Sequence, residues 1–326
     1  MENVSSGAEN AISNLSPPPS SGSTGTLTSD LSLKANKELH EKAEWRRRDV
    51  EALRQMIVTE MENQPGLRPC VEESFLLRFL RARKFDYERS MKLLLNYYSA
   101  RHTYKTDIFS NLVPSSVGHV FDENILAFLD NAVDYYGRRI LVFKACNWRP
   151  EVCSFDDILK ALLLSVELEI CNESTQVNGV IVLIDASALS FSHVFQHIKA
   201  ASVKKAFASF QDCFPCRLKA IHIFNESPLV DGVLTLMKPF MTEKFRQRLF
   251  FHGSSLLSLQ QHVDSEALPA DFGGSAAEFC SKDWSNRVKA SEDYFKDLLS
   301  KKVAVIYSLN IYRKWPPSVA RNGSFV

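Results

Sequence analysis

The residues that could carry out catalysis are few and poorly placed. Ser192 and His193, with Asp185 shortly before them, supply the residue types of a hydrolase triad. Such a triad needs an exposed nucleophile on a strained turn, and the sequence has no GxSxG motif to provide one. Cys213 and Cys216 form a CxxC motif, but no second pair completes a zinc site and the context is not thioredoxin-like. We interpret them as two buried or edge thiols.

Motifs of common enzyme classes are missing from the sequence. It contains no GxGxxG, P-loop or HExxH pattern, and these patterns mark dinucleotide, nucleoside triphosphate and zinc-protease sites. No nucleophile, base and metal-binding set can be grouped into one site. We therefore expect a protein that is not an enzyme and that uses no cofactor and no metal.

Basic residues form the remaining chemical pattern. Arg217 and Lys219 share a face if their segment is extended, and Lys244 and Arg248 share a face if theirs is helical. Arg81 lies in the earlier basic run LLRFLRARK (76–84). A charge run usually marks a solvated face. If these groups converge, however, each would contribute about 1 kcal/mol of attraction to an anionic membrane.

The overall charge of the chain is nearly balanced. Lysine and arginine number 39 against 38 acidic residues, which gives a formal net charge of +1. Such a chain has no global field that attracts nucleic acid. Any binding of anions must therefore be local, and we expect no nucleic-acid partner.

The elements that position these residues follow from hydrophobic patterning. Residues 1–32 are rich in Ser, Gly, Asn, Thr and Pro and are expected to be a disordered tail. Residues 33–108 have the apolar spacing of a small helical domain; Val50, Leu53 and Ile57, for example, share one helix face.

Short β-rich runs alternate with longer helical stretches in residues 109–280. These runs are RILVFKA (139–145), GVIVLIDAS (179–187), LKAIHIFN (218–225) and RLFFHG (248–253). This alternation predicts an α/β domain with a largely parallel sheet. Residues 281–326 are expected to be a C-terminal extension, partly disordered, that the sequence does not assign to the core.

The expected compartment follows from the cysteines and the lack of targeting signals. The cysteines number seven, an odd set in apolar surroundings, and no signal-peptide pattern begins the chain. No run reaches the length of about 18 apolar residues that a membrane span needs. We expect a cytoplasmic protein.

Two helical segments could enclose a ligand. The helix FDDILKALLLSVELEICNE (155–173) has a wide apolar stripe, which fits either plain core or the wall of a ligand cavity. In SPLVDGVLTLMKPFMTEKFRQR (227–248), Pro239 interrupts a helical pattern whose first part is amphipathic. This segment is either a surface helix or a hinged cover over a cavity.

Five separated motifs together resemble the CRAL-TRIO family of lipid-transfer proteins, and within it the tocopherol-carrier branch. They are FLLRFLRARKFD (75–86), ESTQVNG (173–179), VKKAFASFQDCFPCRLKAIHIFNE (203–226), MKPFMTEKFRQRLFFHG (237–253) and LPADFGG (268–274). The resemblance covers the chain from about Glu38 to Glu278. It implies an α/β CRAL-TRIO lipid-binding domain preceded by a small helical N-terminal module.

The resemblance also implies roles for individual residues. A hydrophobic cavity would be lined by Phe143, Leu159, Leu162, Leu163, Val166, Val180, Ile184, Phe210, Leu218 and Ile221. A mobile gate would carry Leu229, Val230, Val233, Leu234 and Met237. A phosphoinositide head group would be contacted by Arg81, Arg217, Lys219, Lys244 and Arg248.

One departure from the family pattern concerns the cargo. Leu162 and Val166 stand where the tocopherol carrier has serines on its pocket helix. Because a ligand hydroxyl buried without a partner costs free energy, these apolar residues favour a cargo with fewer polar groups there. The sequence leaves tocopherol-like, retinoid-like and similar ligands open.

The function that the resemblance implies is that of a monomeric lipid-transfer protein. It would enclose a hydrophobic small molecule or lipid and exchange it at membranes that contain phosphatidylinositol bisphosphate, with transient peripheral association at endosomal or other membranes. Two alternatives stay open. One is a lipid-sensing adaptor whose tails bind a protein partner, and the other is an enzyme acting on a lipid, for which the sequence offers no catalytic set.

Overall fold

A mixed sheet of five strands forms the centre of the computed structural model, which describes residues 27–64, 67–187, 196–226, 232, 234–235 and 237–300. The strands are β1 (Leu126–Val133), β2 (Arg139–Lys144), β3 (Val180–Asp185), β4 (Leu218–Phe224) and β5 (Leu249–Phe251), in that spatial order. β1 is antiparallel to β2, whereas β2 to β5 are mutually parallel. The predicted α/β class is confirmed, and β1 is a strand that the patterning missed.

The first four helices form the N-terminal module. They are α1 (Ser29–Leu39), α2 (Arg46–Asn63), α3 (Glu73–Ala82) and α4 (Tyr87–Thr103). The shared face of Val50, Leu53 and Ile57 in α2 is completely buried. α1 begins inside the range expected to be a tail, because the Thr28 side chain caps it by accepting a hydrogen bond from the Leu31 N–H.

Further helices connect and cover the strands. They are α5 (Gly118–Asp122), α6 (Phe155–Glu169), α7 (Glu173–Asn178), α8 (Ala200–Phe210), α9 (Glu243–Arg246) and α10 (Leu256–Gln260). α6 starts at a capping box, in which Ser154 Oγ accepts from the Asp157 N–H and the Asp157 carboxylate accepts from the Ser154 N–H. None of the helices within the described residues is long and apolar enough to cross a membrane.

The two faces of the sheet have different coverings. Residues that pair across parallel strands point to the same face, and on one face these are Val182, Ile184, Ile221, Ile223 and Leu249. The other face carries Phe224, whose ring packs against Phe272 at 6.4 Å. The segment from α10 to Phe272 thus covers that second face. The first face is covered by α6, α8 and the residues around Leu234 and Phe245.

Two C-terminal helices complete the hydrophobic core. α11 (Lys282–Lys289) inserts Trp284, 1% exposed, against the Phe128 ring at 5.0 Å, and the indole N–H donates to Ser165 Oγ at 3.0 Å. α12 (Glu292–Ser300) buries Phe295. The sequence did not assign residues 281–300 to the core, because isolated aromatic residues in a polar stretch give only a weak helical pattern. Residues 301–326 lie outside the described part.

Replacing Trp284 should show how strongly α11 holds the fold. Trp284→Ala removes a buried ring and leaves Ser165 Oγ without its donor, so we expect a loss of about 3–5 kcal/mol in the free energy of unfolding, measured in urea. Asn286→Ala, at an exposed position of the same helix, is the control and should change it by less than about 0.5 kcal/mol. Equal midpoints for both variants would contradict this packing.

Candidate functional site

One group of cations surrounds the start of β4 and is anchored to α1. Arg217 Nη2 lies 3.1 Å from Glu38 Oε2, and Lys219 Nζ lies 3.9 Å from the same oxygen. Arg217 also donates to the backbone carbonyl of Val177. A single partly exposed carboxylate from α1 therefore balances only part of the charge of two neighbouring cations.

A second group of cations lies next to the first, at α9 and the start of β5. Burial lowers the pKa of Lys244, and the positive charges of Arg248, Arg83 and Arg89 lower it further. Burial likewise lowers the pKa of Arg248, to which the charge of Arg217 adds. These like charges are therefore close enough to repel one another. Arg217, Lys219, Lys244 and Arg248 form one basic surface, which we call the basic cluster.

Lys219 has a lowered pKa, mainly because it is partly buried. Burial lowers the pKa of its ammonium group to about 8, and the positive charge of Arg217 contributes to the same shift, while Glu38 opposes it. A nearby anion would stabilise the charged form of a lysine whose pKa is close to neutral pH, and would raise that pKa again. The basic cluster is thus poised to accept negative charge.

Arg81 lies behind the basic cluster rather than in it. Its side chain is 0% exposed, and its guanidinium donates to Glu41 at 2.7 and 2.8 Å, to Gln176 Oε1 at 2.7 Å and to Glu173 Oε2 at 2.9 Å. Four of the five N–H groups of this guanidinium are thus taken up by buried or partly buried partners. The neighbouring arginine of the same run, Arg83, is the one that lies beside Lys244, and its own ion pair with the exposed Asp212 is 3.0 Å long.

Gly179 brings the strands of the basic cluster together. Its φ of +91° lies in a region that favours glycine, and a Cβ built there would lie 2.4 Å from the carbonyl oxygen of Arg217 and 3.0 Å from Lys219 Cγ. The Val180 N–H donates to the same Arg217 carbonyl at 3.0 Å. Glycine at this position thus permits β3 to pair with the start of β4, beside Arg217 and Lys219.

The apolar residues named for the cavity fall into two classes. Some are buried in the core, namely Leu159, Leu163, Val166, Val180 and Ile221. The others are only half-buried and pack at the edges of the apolar clusters, namely Phe143, Leu162, Ile184, Phe210 and Leu218. The half-buried members thus keep part of their apolar surface exposed.

Small apolar clusters on this sheet face are separate from the main core. Ile221 and Ile223 form one of them, and Val203, Phe207 and Met241 form another. Leu234 packs against both clusters, and Met237 packs against the second. Two residues of the expected gate thus cover this face.

The remaining gate residues, Leu229, Val230 and Val233, lie outside the described residues.

One residue of the expected lining borders a different space. Leu163 lies on the side of α6 that carries Glu167, and both side chains line a cleft against α4 and α12. A helical stripe does not tell which of its members face the sheet. The packing of α4 and α12 beside α6 shows that Leu163 borders this cleft.

The catalytic alternatives gain no support from the geometry. Ser192 and His193 lie outside the described residues, and Asp185 accepts hydrogen bonds from the Asn225 amide at 3.1 Å and the Ser187 N–H at 3.0 Å. Burial raises the pKa of both Cys213 and Cys216 to about 12, which makes them weak nucleophiles. Within the described ranges, no group of three or more His, Cys, Asp or Glu residues is placed to hold a metal ion.

Comparison with known protein families decides the classification. The family model described as CRAL/TRIO domain matches residues 122–274, and that described as CRAL/TRIO, N-terminal domain matches residues 50–96. The chain belongs to the CRAL-TRIO family. The N-terminal match lies within α2 to α4, and the domain match runs from the end of α5 to the Gly-Gly pair at 273–274.

Relatives support the same assignment. The chain is 40% identical to "Alpha-tocopherol transfer protein-like" of Mus musculus over 292 residues, covering 90% of this chain and 83% of the relative. It is 35% identical to "Clavesin-1" of Rattus norvegicus over 275 residues, covering 82% of this chain and 74% of the relative. The solved structure "Crystal structure of Sfh5" has a TM-score of 0.50 at 13% identity, with 85% of this chain and 100% of that chain covered, and it shows the fold alone.

Substitution of Gly179 should disturb the basic cluster of this CRAL-TRIO protein directly. In Gly179→Ala the new methyl group would collide with the Arg217 carbonyl, so we expect a loss of about 2–4 kcal/mol in the free energy of unfolding, measured by denaturant titration. Gly253→Ala is the matched control, because its φ of +56° is also positive but no atom lies within 4 Å of its added Cβ. It should cost about 1 kcal/mol. Equal losses would show that contact with Arg217 is not the cause.

Proposed function

We propose that this protein is a lipid-transfer protein and not an enzyme. It encloses one hydrophobic small molecule or lipid and exchanges it at membranes that carry phosphatidylinositol bisphosphate. The observation that carries this proposal is the position of the basic cluster, whose cations repel one another, beside a sheet face whose small apolar clusters are separate from the main core. An anionic head group would relieve the repulsion, and an apolar ligand would pack against these clusters.

The chemistry of the cluster suits a phosphorylated head group. Guanidinium groups such as Arg217 and Arg248 offer paired donors to phosphate oxygens, and the ammonium groups of Lys219 and Lys244 act as point charges. Arg83 adds a further cation next to Lys244. We assign Arg81 a positioning role, since its ion pairs hold α3 to Glu41 and to α7.

The basic cluster and the gate are connected through neighbouring residues. Lys244 precedes Phe245 and Arg248 precedes Leu249, and both apolar neighbours pack against the same clusters as Leu234. A head group that shifts Lys244 and Arg248 would therefore shift the side chains beneath the gate. Head-group binding can in this way favour an open state at the membrane surface.

Release at a membrane is required by the energetics of the cargo. Each buried methylene stabilises the complex by about 0.8 kcal/mol, so a long hydrocarbon does not leave into water at a useful rate. Opening against lipid avoids that cost, because Leu234 and Met237 would stay in apolar surroundings. We place the protein in the cytoplasm as a monomer, with transient attachment to endosomal or other membranes.

Charge reversal in the basic cluster should weaken membrane binding. Lys244→Glu and Arg248→Glu should each weaken binding to vesicles containing phosphatidylinositol bisphosphate by about 2 kcal/mol, because each replaces an attraction of about 1 kcal/mol with a repulsion. Vesicle sedimentation measures this. Lys204→Glu, at an exposed position of α8, is the control for the same change in net charge. If all three variants lose binding equally, net charge and not the cluster is responsible.

The pH dependence of vesicle binding should report Lys219. Its pKa of about 8 in the free protein means that the ammonium loses its proton as the pH rises from 7 to 9. Since a phosphate binds the protonated form, affinity should fall over this range and by at most tenfold per pH unit for one proton. Lys219→Arg should remove the decrease, because arginine stays charged. If the affinity of Lys219→Arg still decreased over this pH range, a group other than Lys219 would be responsible.

Filling the apolar space should displace the cargo. Ile184→Trp places a large ring at a half-buried position on the sheet face, whereas Val58→Trp on the exposed face of α2 is the control. Native mass spectrometry with lipid extraction should find one hydrophobic molecule per chain in the wild type and in Val58→Trp, and none in Ile184→Trp. A wild-type protein without any bound molecule would favour the adaptor alternative.

A further inference from the structure

A cleft on the far side of α6 has features that the proposed cargo site does not explain. It has a volume of about 720 Å³ and lies between α4, the turn that follows it, α6 and α12. This volume is in the range of small-molecule sites. The apolar part of its lining is formed by Phe109, Leu112, Leu163, Phe295, Leu298 and Leu299.

Basic residues from the end of α4 line the polar part of the cleft. The guanidinium of Arg101 lies over the Tyr97 ring at 3.3 Å from the ring centroid, which fixes its orientation. His102 and Lys105 also line the cleft, and neither makes a side-chain hydrogen bond or ion pair with another described residue. The cleft therefore has a cationic end beside an apolar surface.

The buried charges behind the cleft are not balanced. Glu167, 3% exposed, accepts from Arg78 at 3.0 Å, from Arg101 at 2.8 Å and from the Tyr97 hydroxyl at 3.0 Å. One carboxylate thus serves two guanidinium groups, and Tyr294, the other oxygen partner of Arg78, is an uncharged phenol. Because Arg101 is partly exposed and shares Glu167 with Arg78, a second carboxylate near Arg101 would be stabilising.

We propose that this cleft binds a long-chain fatty acid. The carboxylate lies at Arg101, His102 and Lys105, and the hydrocarbon chain covers Leu163, Phe295 and Leu298. Charge complementarity selects an anionic head group, and the apolar lining selects a chain. This site is separate from the sheet face and the basic cluster, so it does not depend on the proposed lipid transfer.

Calorimetric titration of the full chain with oleate, below its micelle concentration, tests the proposal. His102→Gln combined with Lys105→Glu should weaken oleate binding by about tenfold or more, since hydrogen bonds to charged groups are lost and a repulsion is added. Lys92→Glu, at an exposed position earlier in α4 and outside the cleft, should bind oleate as the wild type does. Oleyl alcohol, which has the same chain and no charge, should bind more weakly to the wild type.

Further measurements separate this site from the proposed cargo site. Ile184→Trp should leave oleate binding at the cleft intact, so loss of oleate in that variant would place it on the sheet face and overturn the inference. Amide hydrogen exchange at residues 97–112 and 295–300 should slow when oleate binds. Equal affinity of oleate in the charge variant and the wild type, equal binding of oleyl alcohol, or unchanged exchange at these amides when oleate is added would each overturn it.

Discussion

The buried ion pairs of Arg81 are the interaction on which the arrangement of the N-terminal module depends. A charged guanidinium with no exposure is tolerated because Glu41, Glu173 and Gln176 take up its donors. These partners follow α1 and belong to α7, so the same group ties α3 to both sides of the module boundary. Loss of either carboxylate would leave a buried charge without its partner, which is far more costly than never having formed the pair.

The position of α1 follows from this constraint and affects the site. Glu41 lies just after the end of α1, and Glu38 lies within it. Fixing Glu41 at Arg81 brings Glu38 to Arg217 and Lys219, where it offsets part of their repulsion. The buried pair is therefore structural, and the outer contact is one that an incoming anion can compete with. Because Glu38 is partly exposed, exchanging its carboxylate for a phosphate costs little desolvation.

The two faces of the sheet differ in how they are packed. On one face the segment from α10 to Phe272 completes a filled core, in which Leu259, Val263 and Leu268 have no exposure. On the other, small apolar clusters are joined through Leu234, and several lining residues stay half-buried. A filled face resists change, whereas small clusters separated from the core can rearrange at low cost. This asymmetry gives the fold a stable sheet and an adaptable covering on the same strands.

Much of the fold could be predicted from the sequence because its signals are local. The alternation of strands with helices, the buried stripe of α2 and the spacing of the family motifs each lie within short stretches, so the α/β class, β2 to β5 and the cation types at 217, 219, 244 and 248 follow from residue order. The strand β1 escaped prediction, since its second half is exposed and lacks a β-rich apolar run.

The tertiary structure decided which of these residues share a site. In the run LLRFLRARK, Arg81 and Arg83 have the same chemistry, yet Arg81 points inward because carboxylates 40 and 92 residues away meet it there. The core role of Trp284 depends in the same way on Ser165, 119 residues distant, and Leu163 faces the cleft because α12 packs beside it. Sequence periodicity determines that a side chain is on a given face of its own helix or strand. What that face meets is set by contacts between distant segments, which the free energy of packing and of charge neutralisation selects only when the whole chain is folded.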